Sequence, residues 1–270
     1  MKTLSPLERL NAVKLFLLDL DGTVYLGNKP IAGAVEFIKH LAVTGRRYVF
    51  LTNNSSRSAD DYVKKLSLMN FPVTAEQVAT SGQATAWYIA KRKPGASVYI
   101  MGTETLRNEM SKFDLNLLDE SATTADFFVA GFDTELNYTK LRTACTLLDN
   151  GAVFVATNPD LVCPIGGDRY IPDCGSMCTM LENATGRQPM YIGKPHSLYI
   201  DYLRETRGVS SSNLVMIGDR LYTDIALGCN ASIMSICVLS GESDRAAIKK
   251  SPYKPDLVVD SVADLVGMLG

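Results

Sequence analysis

The 270-residue chain has little of what marks several specialised classes of protein. It has two histidines and one tryptophan, and its 27 basic and 29 acidic side chains leave a net charge of −2. A chain so close to neutral has no general attraction for nucleic acid or for an anionic membrane, so neither is expected as a partner. It contains no run of about 18 apolar residues, so no membrane-spanning helix is expected. It also contains no G-x-G sequence and no Walker lysine loop, which disfavours a nucleotide cofactor.

The six cysteines follow no disulfide or metal-binding pattern. Cys174 and Cys178 are four residues apart, a spacing that suits one face of a helix better than a zinc site. Charged residues such as Glu8 and Arg9 interrupt the N-terminal segment, which is therefore not typical of a signal peptide. These features predict reduced thiols and a cytoplasmic protein.

The first part of the chain alternates between short apolar runs and helical patterns. Residues 13–18 and Arg47–Thr52 are predicted strands, and residues 30–42 and 59–69 are predicted amphipathic helices. This rhythm of strand and helix is typical of an α/β fold in which helices cover both faces of a parallel sheet. We therefore expect a doubly wound, Rossmann-like core.

A second α/β rhythm begins near residue 97 and indicates an inserted domain. About 30 residues separate Asp21 from Asn53, whereas about 140 separate Thr52 from Lys194, which is enough for an extra domain of about 100 residues. The expected organisation is a discontinuous core of residues 1–81 and 188–270, with a smaller α/β domain of residues 82–187 inserted into it. Further strands are predicted at residues 98–101, 127–130, 153–156, 190–192, 214–217, 235–238 and 257–259.

Acidic residues follow two of the predicted strands. Asp19 and Asp21 come directly after the first strand, Asp219 closes the strand at 214–217, and Asp224 begins the next helix. A pair such as Asp19 and Asp21 can simply solvate the end of a strand. Carboxylates that end buried strands at one sheet edge repel each other, however, unless a cation lies between them. Hard oxygen ligands of this kind suit Mg²⁺.

Two other strand ends carry groups that suit a phosphate. Thr52 and Asn53 follow the strand RYVFL and offer hydroxyl, amide and backbone N–H donors, although such residues are also common in ordinary turns. Lys194 follows the strand MYI and can neutralise a phosphate as a point charge, although a single lysine is more often a solvated surface residue. Together with the carboxylates, these residues are the groups that metal-assisted phosphoryl transfer through an aspartyl-phosphate requires.

These residues, in this order, closely resemble the haloacid dehalogenase superfamily. The matching motifs are DLDGTV, TNNS, the lysine of GKP and GDRLYTD, and they span residues 19–224. Within the superfamily they are similar to the NagD-type phosphatases, also called the p-nitrophenylphosphatase-like branch. The resemblance implies a mobile C2-type cap domain and a Mg²⁺-dependent phosphatase that acts on a small phosphorylated metabolite.

The resemblance also implies a role for each matching residue. Asp19 is expected to be the nucleophile, and Asp21 the general acid and base. The side chains of Asp19 and Asp219 and the main-chain carbonyl of Asp21 are expected to bind Mg²⁺, and Asp224 to support that site. The residues implied to hold the phosphoryl oxygens are Thr52, Asn53 and Lys194.

Two segments of the inserted domain, ATNPD and PDCG, are also similar to the NagD branch, although many relatives carry Pro-Gly-x-Gly where this chain has Pro-Asp-Cys-Gly. Polar residues at the ends of apolar runs are typical of substrate loops. Asp160, Arg169 and Asp173 are therefore candidate specificity residues, and ordinary turns are the alternative interpretation.

Three other functions compete with hydrolysis at this stage. A phosphate-triggered signalling receiver also phosphorylates an aspartate, but receivers are about half this length and need no carboxylate at the position of Asp21. A phosphotransferase or phosphomutase would need a cap that retains the phosphorylated sugar, and a dehalogenase would need neither Mg²⁺ nor Asp21. The sequence leaves the oligomeric state open, a homodimer included.

Overall fold

The structure is a computed structural model, and it describes residues 4–167 and 169–269. The chain divides into two compact units. The first unit comprises Met1–Thr52, Ala59–Ala79 and Lys194–Gly270, and the second comprises Asn53–Ser58 and Thr80–Gly193. The sequence predicted a core domain and a cap domain with boundaries at residues 81 and 187, and this domain organisation stays a prediction.

Strands and helices alternate along most of the described chain. The strands are β1 (Leu15–Leu18), β2 (Tyr25–Leu26), β3 (Lys29–Pro30), β4 (Arg47–Thr52), β5 (Val78–Thr80), β6 (Ala96–Met101), β7 (Leu115–Leu117), β8 (Phe127–Ala130), β9 (Val153–Ala156), β10 (Val162–Gly166), β11 (Arg169–Pro172), β12 (Met190–Tyr191), β13 (Leu214–Gly218), β14 (Met234–Val238) and β15 (Leu257–Val259). The α-helices are α1 (Pro6–Ala12), α2 (Ala34–Val43), α3 (Ala59–Leu68), α4 (Ser81–Arg92), α5 (Glu104–Met110), α6 (Tyr138–Asp149), α7 (Cys174–Thr185), α8 (Leu198–Arg207), α9 (Ala226–Asn230) and α10 (Arg245–Lys250).

The first unit is built on a sheet with the strand order β15-β14-β13-β1-β4-β5. Strand β1 lies at its centre and pairs in parallel with β13 and β4, so that Leu15 is opposite both Leu214 and Arg47. All four residues of β1 are buried. A parallel sheet covered on both faces requires such continuous apolar strands, which is why β1 and β13 read as apolar runs in the sequence.

Helix α2 covers this sheet through residues at helical spacing. Phe37, Ile38 and Leu41 are fully buried in the same apolar cluster as Phe16 of β1. The helix begins at Ala34, four residues later than the sequence predicts, because β3 pairs with β2 in a short antiparallel hairpin. The predicted start at residue 30 is therefore wrong.

The second unit has its own parallel sheet, with the strand order β12-β9-β8-β6-β7. Its core includes Phe128 and Phe154 on the strands, with Leu147 and Leu181 on the helices α6 and α7. An antiparallel ribbon of β10 and β11 precedes α7. Two parallel sheets with covering helices confirm the predicted α/β, Rossmann-like fold class. Among the described residues, no helix is both long and apolar enough to cross a bilayer.

Candidate active site

Three carboxylates of the first unit meet at the carboxyl edge of its sheet. Asp19 follows β1 and Asp219 follows β13, so the parallel pairing of these strands brings the two residues to the same edge. Asp224 lies in a π-helical turn, Leu221–Ile225, directly after β13. One carboxylate oxygen from each residue lies within 4.8 Å of the other two. Asp219 and Asp224 are buried, and Asp19 is partly exposed.

Lys194 joins two of these carboxylates. Its Nζ lies 2.5 Å from Oδ1 of Asp19 and 2.7 Å from Oδ1 of Asp224. Only 3% of Lys194 is exposed. Burial alone would lower the pKa of Lys194, but the charges and hydrogen bonds of the two carboxylates outweigh it and raise the pKa above its usual range. The lysine is therefore a fixed cation and not a solvated surface residue.

The cluster contains more negative than positive charge. Burial raises the pKa of Asp219, and the charges of Asp19 and Asp224 raise it further. Burial also raises the pKa of Asp224, although Lys194 acts in the opposite direction. Both shifts mean that ionised carboxylates are costly here without further positive charge. A set of hard oxygen donors with a deficit of positive charge fits Mg²⁺.

The main chain approaches Asp219 closely. The N–H of Glu242 donates to Oδ2 of Asp219 at 2.7 Å, and Oγ1 of Thr23 donates to Oδ1 at 3.4 Å. A Cβ built on Gly22 would lie 2.7 Å from Cγ of Asp219, and one on Gly241 would lie 2.5 Å from the same atom. Any side chain at either glycine would displace the carboxylate. Gly22 also has a φ of +86°, which glycine adopts without strain.

Asp21 lies two residues beyond Asp19 and is exposed to solvent. Partial burial of its carboxyl group raises the pKa of Asp21, and the charge of Asp19 raises it further. Lys65, whose Nζ lies 3.9 Å from the centre of the Tyr25 ring, lowers the same pKa, but by less than burial raises it. A carboxyl group with a raised pKa is suited to donating a proton.

Thr52 ends β4 and is held by two tyrosines of the first unit. Its Oγ1 donates to the phenolic oxygen of Tyr62 at 3.2 Å, and its carbonyl accepts from the hydroxyl of Tyr199 at 3.0 Å. Only 6% of Thr52 is exposed. These contacts fix the residue at the carboxyl end of a strand next to β1.

Asn53 belongs to the second unit, although it is adjacent to Thr52 in sequence. Its Nδ2 donates to Oδ2 of Asp160 at 3.0 Å. Its carbonyl oxygen accepts from Nδ2 of Asn158 at 2.8 Å and from Oγ of Ser81 at 2.7 Å. The structure thus brings together two residues, Asn53 and Asp160, for which the sequence predicted separate roles.

The other two candidate specificity residues have local contacts. Arg169 is exposed on β11, and its Nε donates to the carbonyl of Gly166 at 3.4 Å. Asp173 is buried at the N-cap of α7, where Oδ1 accepts from the N–H of Cys174 at 2.6 Å. The thiol of Cys174 is itself buried and donates to the carbonyl of Ala130 at 3.3 Å. A specificity role for Arg169 and Asp173 stays a prediction.

Sequence reasoning missed the segment that holds Asp219. Gly241 and Glu242 follow β14, which pairs with β13. The rule that singled out the other strand ends would have found this one, because β14 is also a buried parallel strand. The segment was missed because it contributes a backbone N–H and the space that a glycine leaves. Neither requires an acidic or basic residue that a search for charged side chains would find.

Comparison with known proteins gives consistent matches over nearly the whole chain. A family model described as haloacid dehalogenase-like hydrolase matches residues 16–116, and a related HAD-hydrolase-like model matches residues 191–265. The chain is 37% identical to the 5'-nucleotidase YutF of Bacillus subtilis strain 168, over 94% of this chain and 97% of that protein. It is 34% identical to an acid sugar phosphatase of Staphylococcus saprophyticus, over 94% of this chain and 96% of that protein.

A solved structure extends the same similarity to the fold. The crystal structure of a 4-nitrophenylphosphatase from Thermotoga maritima superimposes with a TM-score of 0.90 and 40% identity, covering 96% of this chain and 98% of that chain. The predicted resemblance to the p-nitrophenylphosphatase-like branch is confirmed by this match.

Proposed function

The chain belongs to the haloacid dehalogenase-like hydrolase family and is a phosphatase of that family, and we propose that it hydrolyses small phosphomonoesters with Mg²⁺ through an aspartyl-phosphate at Asp19. The observation that carries this proposal is the cluster of Asp19, Asp219 and Asp224, in which Asp19 and Asp224 contact the buried Lys194. Hydrolysis is favoured over a receiver function because the chain carries a second carboxyl group, Asp21, with a raised pKa beside the nucleophile.

Asp19 and Asp219 would hold the metal through their side chains, together with the main-chain carbonyl of Asp21. When bound, Mg²⁺ supplies positive charge that offsets the charge of the phosphoryl oxygens. Asp224 has a different part, because its Oδ1 contacts Lys194 and its Oδ2 accepts from the N–H of Arg220 at 3.1 Å. Asp224 therefore holds Lys194 in place and would support the metal site without binding the metal itself.

The first step is attack by Asp19 on phosphorus. A carboxylate oxygen of Asp19 forms a bond to phosphorus while the bond to the leaving oxygen breaks. Asp21 in its protonated form gives its proton to the leaving alkoxide, which departs as an alcohol. The raised pKa of Asp21 favours the protonated form that this step requires.

The second step returns the enzyme to its starting state. Water attacks the phosphorus of the aspartyl-phosphate, and Asp21, now ionised, takes a proton from that water. The bond between phosphorus and Asp19 breaks, which releases inorganic phosphate and restores the carboxylate. One carboxyl group thus serves as acid in the first step and as base in the second.

Three residues are proposed to bind the phosphoryl oxygens. Lys194 contributes a fixed positive charge, Asn53 contributes the amide N–H that it does not donate to Asp160, and Thr52 contributes its hydroxyl, which would turn from Tyr62 to the phosphoryl oxygen. A charged donor and neutral donors that are held in place before the substrate binds can stabilise negative charge as it redistributes in the transition state.

The proposed substrates are small phosphomonoesters with an alcohol leaving group. One relative is named a 5'-nucleotidase and another an acid sugar phosphatase, and the structural neighbour is named a 4-nitrophenylphosphatase. All three substrate classes share the phosphoryl group and differ in what leaves. We therefore expect activity on p-nitrophenyl phosphate and on a subset of natural phosphate esters.

Phosphate release from p-nitrophenyl phosphate, with and without Mg²⁺, tests the proposal. We expect activity that requires Mg²⁺, disappears with EDTA and is abolished by Asp19→Asn, because an amide cannot form the acyl phosphate. Mg²⁺ should also raise the melting temperature of the wild type, since a ligand that binds only the folded state stabilises it. Full activity in EDTA would show that the metal assignment is wrong, and turnover by Asp19→Asn that the nucleophile is wrong.

A further inference from the structure

The orientation of the Asn53 side chain is set by Asp160. Nδ2 of Asn53 donates to Oδ2 of Asp160 at 3.0 Å. An ionised carboxylate accepts hydrogen bonds and donates none, so the NH₂ end of the amide must face Asp160. A Cβ built on Gly193 would lie 2.7 Å from Oδ1 of Asn53, so the carbonyl end lies against a residue that has no side chain. The amide consequently has one orientation.

The main chain of Asn53 is fixed as well. Its carbonyl oxygen accepts from Ser81 at 2.7 Å and from Asn158 at 2.8 Å. Ser81 and Asn158 are fully buried, and only 6% of Asn53 is exposed. Buried hydrogen bonds of this kind are costly to break, so the residue has little freedom to turn away.

Asp160 is itself held by its backbone. Its N–H donates to Oδ1 of Asn158 at 2.9 Å, and its carbonyl accepts from the N–H of Gly175 at 2.8 Å. A Cβ built on Gly175 would lie 2.9 Å from the carbonyl oxygen of Asp160, so glycine permits this close approach. A carboxylate on so constrained a loop can fix the orientation of a neighbour.

The charge of Asp160 favours an indirect role. A carboxylate has no proton to donate to a phosphoryl oxygen and repels its negative charge, so it is a poor direct ligand for a phosphate ester. As an acceptor from Asn53, the same carboxylate makes a charge-assisted hydrogen bond, which is stronger than a neutral one.

We infer that Asp160 is a positioning residue that holds the amide of Asn53 in the orientation in which Asn53 serves the phosphoryl group. This inference rests on the proposed function, in which Asn53 binds the phosphoryl oxygens. Because every substrate carries the same phosphoryl group, loss of Asp160 lowers activity by the same factor on all of them. This behaviour differs from that of a specificity residue, which would change the ranking of substrates.

A double-mutant cycle between Asn53 and Asp160 tests this inference. The variants Asp160→Ala, Asn53→Ala and the double variant are compared by kcat/KM on p-nitrophenyl phosphate and on a sugar phosphate and a nucleoside monophosphate. We expect Asp160→Ala to lower kcat/KM on the order of 10- to 100-fold on each substrate that the wild type uses, as for a misplaced group in an active site. In the Asn53→Ala background, the same change should have almost no further effect, because the amide that it positions is gone.

Two further variants separate positioning from general damage to the fold. Asp160→Asn retains a side-chain oxygen that can accept from Asn53, so it should keep more activity than Asp160→Ala. Ser176→Ala is the matched control, because it removes a hydrogen bond of 2.6 Å to the carbonyl of Leu161 in the same loop without touching Asn53. It should match the wild type in kcat/KM.

The outcomes also distinguish this inference from the proposed function. An equal loss from Asp160→Ala in both backgrounds, or a changed ranking of substrates, would overturn the positioning role while leaving the phosphatase proposal intact. Wild-type kinetics in Asn53→Ala would overturn the positioning role together with the assignment of Asn53. A wild-type protein that releases no phosphate from any of these esters in Mg²⁺ would instead overturn the proposed function.

Discussion

Lys194 and Asp224 form a buried ion pair in which Nζ lies 2.7 Å from Oδ1, and 4% and 0% of the two side chains are exposed. Both residues also belong to the charge balance of the cluster, since Lys194 contacts Asp19 as well. A buried pair of this kind is sensitive to the loss of one partner, because the other charge is then left without compensation.

Lys194→Ala should lower the stability of the protein by about 3–5 kcal/mol, as measured by urea unfolding in EDTA. It should also reduce kcat/KM strongly, because it removes the fixed cation. Adding Asp224→Asn should recover part of the stability, since the unpaired buried charge is removed, but none of the activity. A double variant that is less stable than Lys194→Ala alone would contradict this account of the pair.

Asp21→Asn should slow turnover by a factor on the order of 10²–10⁴, because the amide can neither give nor take the required proton. The loss should be larger on an alkyl phosphate than on p-nitrophenyl phosphate, whose leaving group needs little protonation. Rates on the two substrates, measured with the same enzyme preparation, provide the comparison. Wild-type rates on the alkyl phosphate would show that Asp21 is not the general acid.

Gly22→Ala should weaken Mg²⁺ binding, because the new Cβ would displace the carboxylate of Asp219. Gly45→Ala is the matched control, since Gly45 has a similar φ of +70° but nothing within 4 Å of an added Cβ. Both variants should lose on the order of 1–2 kcal/mol from backbone strain. Only Gly22→Ala should need more Mg²⁺ to reach half of the maximal shift in melting temperature, and equal Mg²⁺ dependence in the two would refute the prediction.

Asp126 should make stability in acid depend on pH. Lys93 lies 2.6 Å from its Oδ1, Ser97 donates to its Oδ2 from N–H and Oγ, and these contacts lower the pKa of Asp126 to about 2. The folded state therefore binds the proton more weakly than the unfolded state does. The stabilisation is complete above the unfolded pKa of 3.8 and disappears as the pH falls to about 2.

Asp126→Asn should accordingly be less stable than the wild type at pH 6, and the difference should shrink between about pH 4 and pH 2. Urea unfolding of both proteins across this range measures it. Lys93→Met removes the main cause of the lowered pKa of Asp126. The loss of stability in acid should therefore begin at a higher pH in this variant than in the wild type. A difference between wild type and Asp126→Asn that is constant with pH would rule out the linkage.

Local sequence pattern was sufficient for most strands of the two parallel sheets, but not for β5, although all three of its residues are buried, nor for β7. The predicted bounds of β4, β8, β9 and β15 agree with the structure, because each is an apolar run between polar or turn residues. Helix α1 was not predicted, although Ser5, Pro6 and Glu8 form a capping box with proline in the first turn. The start of α2 depended on the pairing of β2 with β3, which residue periodicity does not reveal.

The sequence was sufficient to predict those site residues that lie at the ends of strands. The carboxyl ends of parallel strands predict one edge for Asp19 and Asp219, and the structure places their carboxylates close together. The contact of Asn53 with Asp160 could not be foreseen, because it joins residues 107 positions apart through side-chain geometry. The roles assigned to all of these residues stay predictions until the variants are measured.

The central position of β1 in its sheet has a consequence for synthesis on the ribosome. One neighbour, β4, follows after about 30 residues, but the other, β13, is made about 200 residues later, or roughly 10–40 s at usual elongation rates. Throughout that interval one backbone edge of a wholly apolar strand has no native partner. Nascent chains that stall before Leu214 should therefore aggregate or recruit chaperones, whereas Thr80–Gly193 has all strands of its five-stranded sheet before that point.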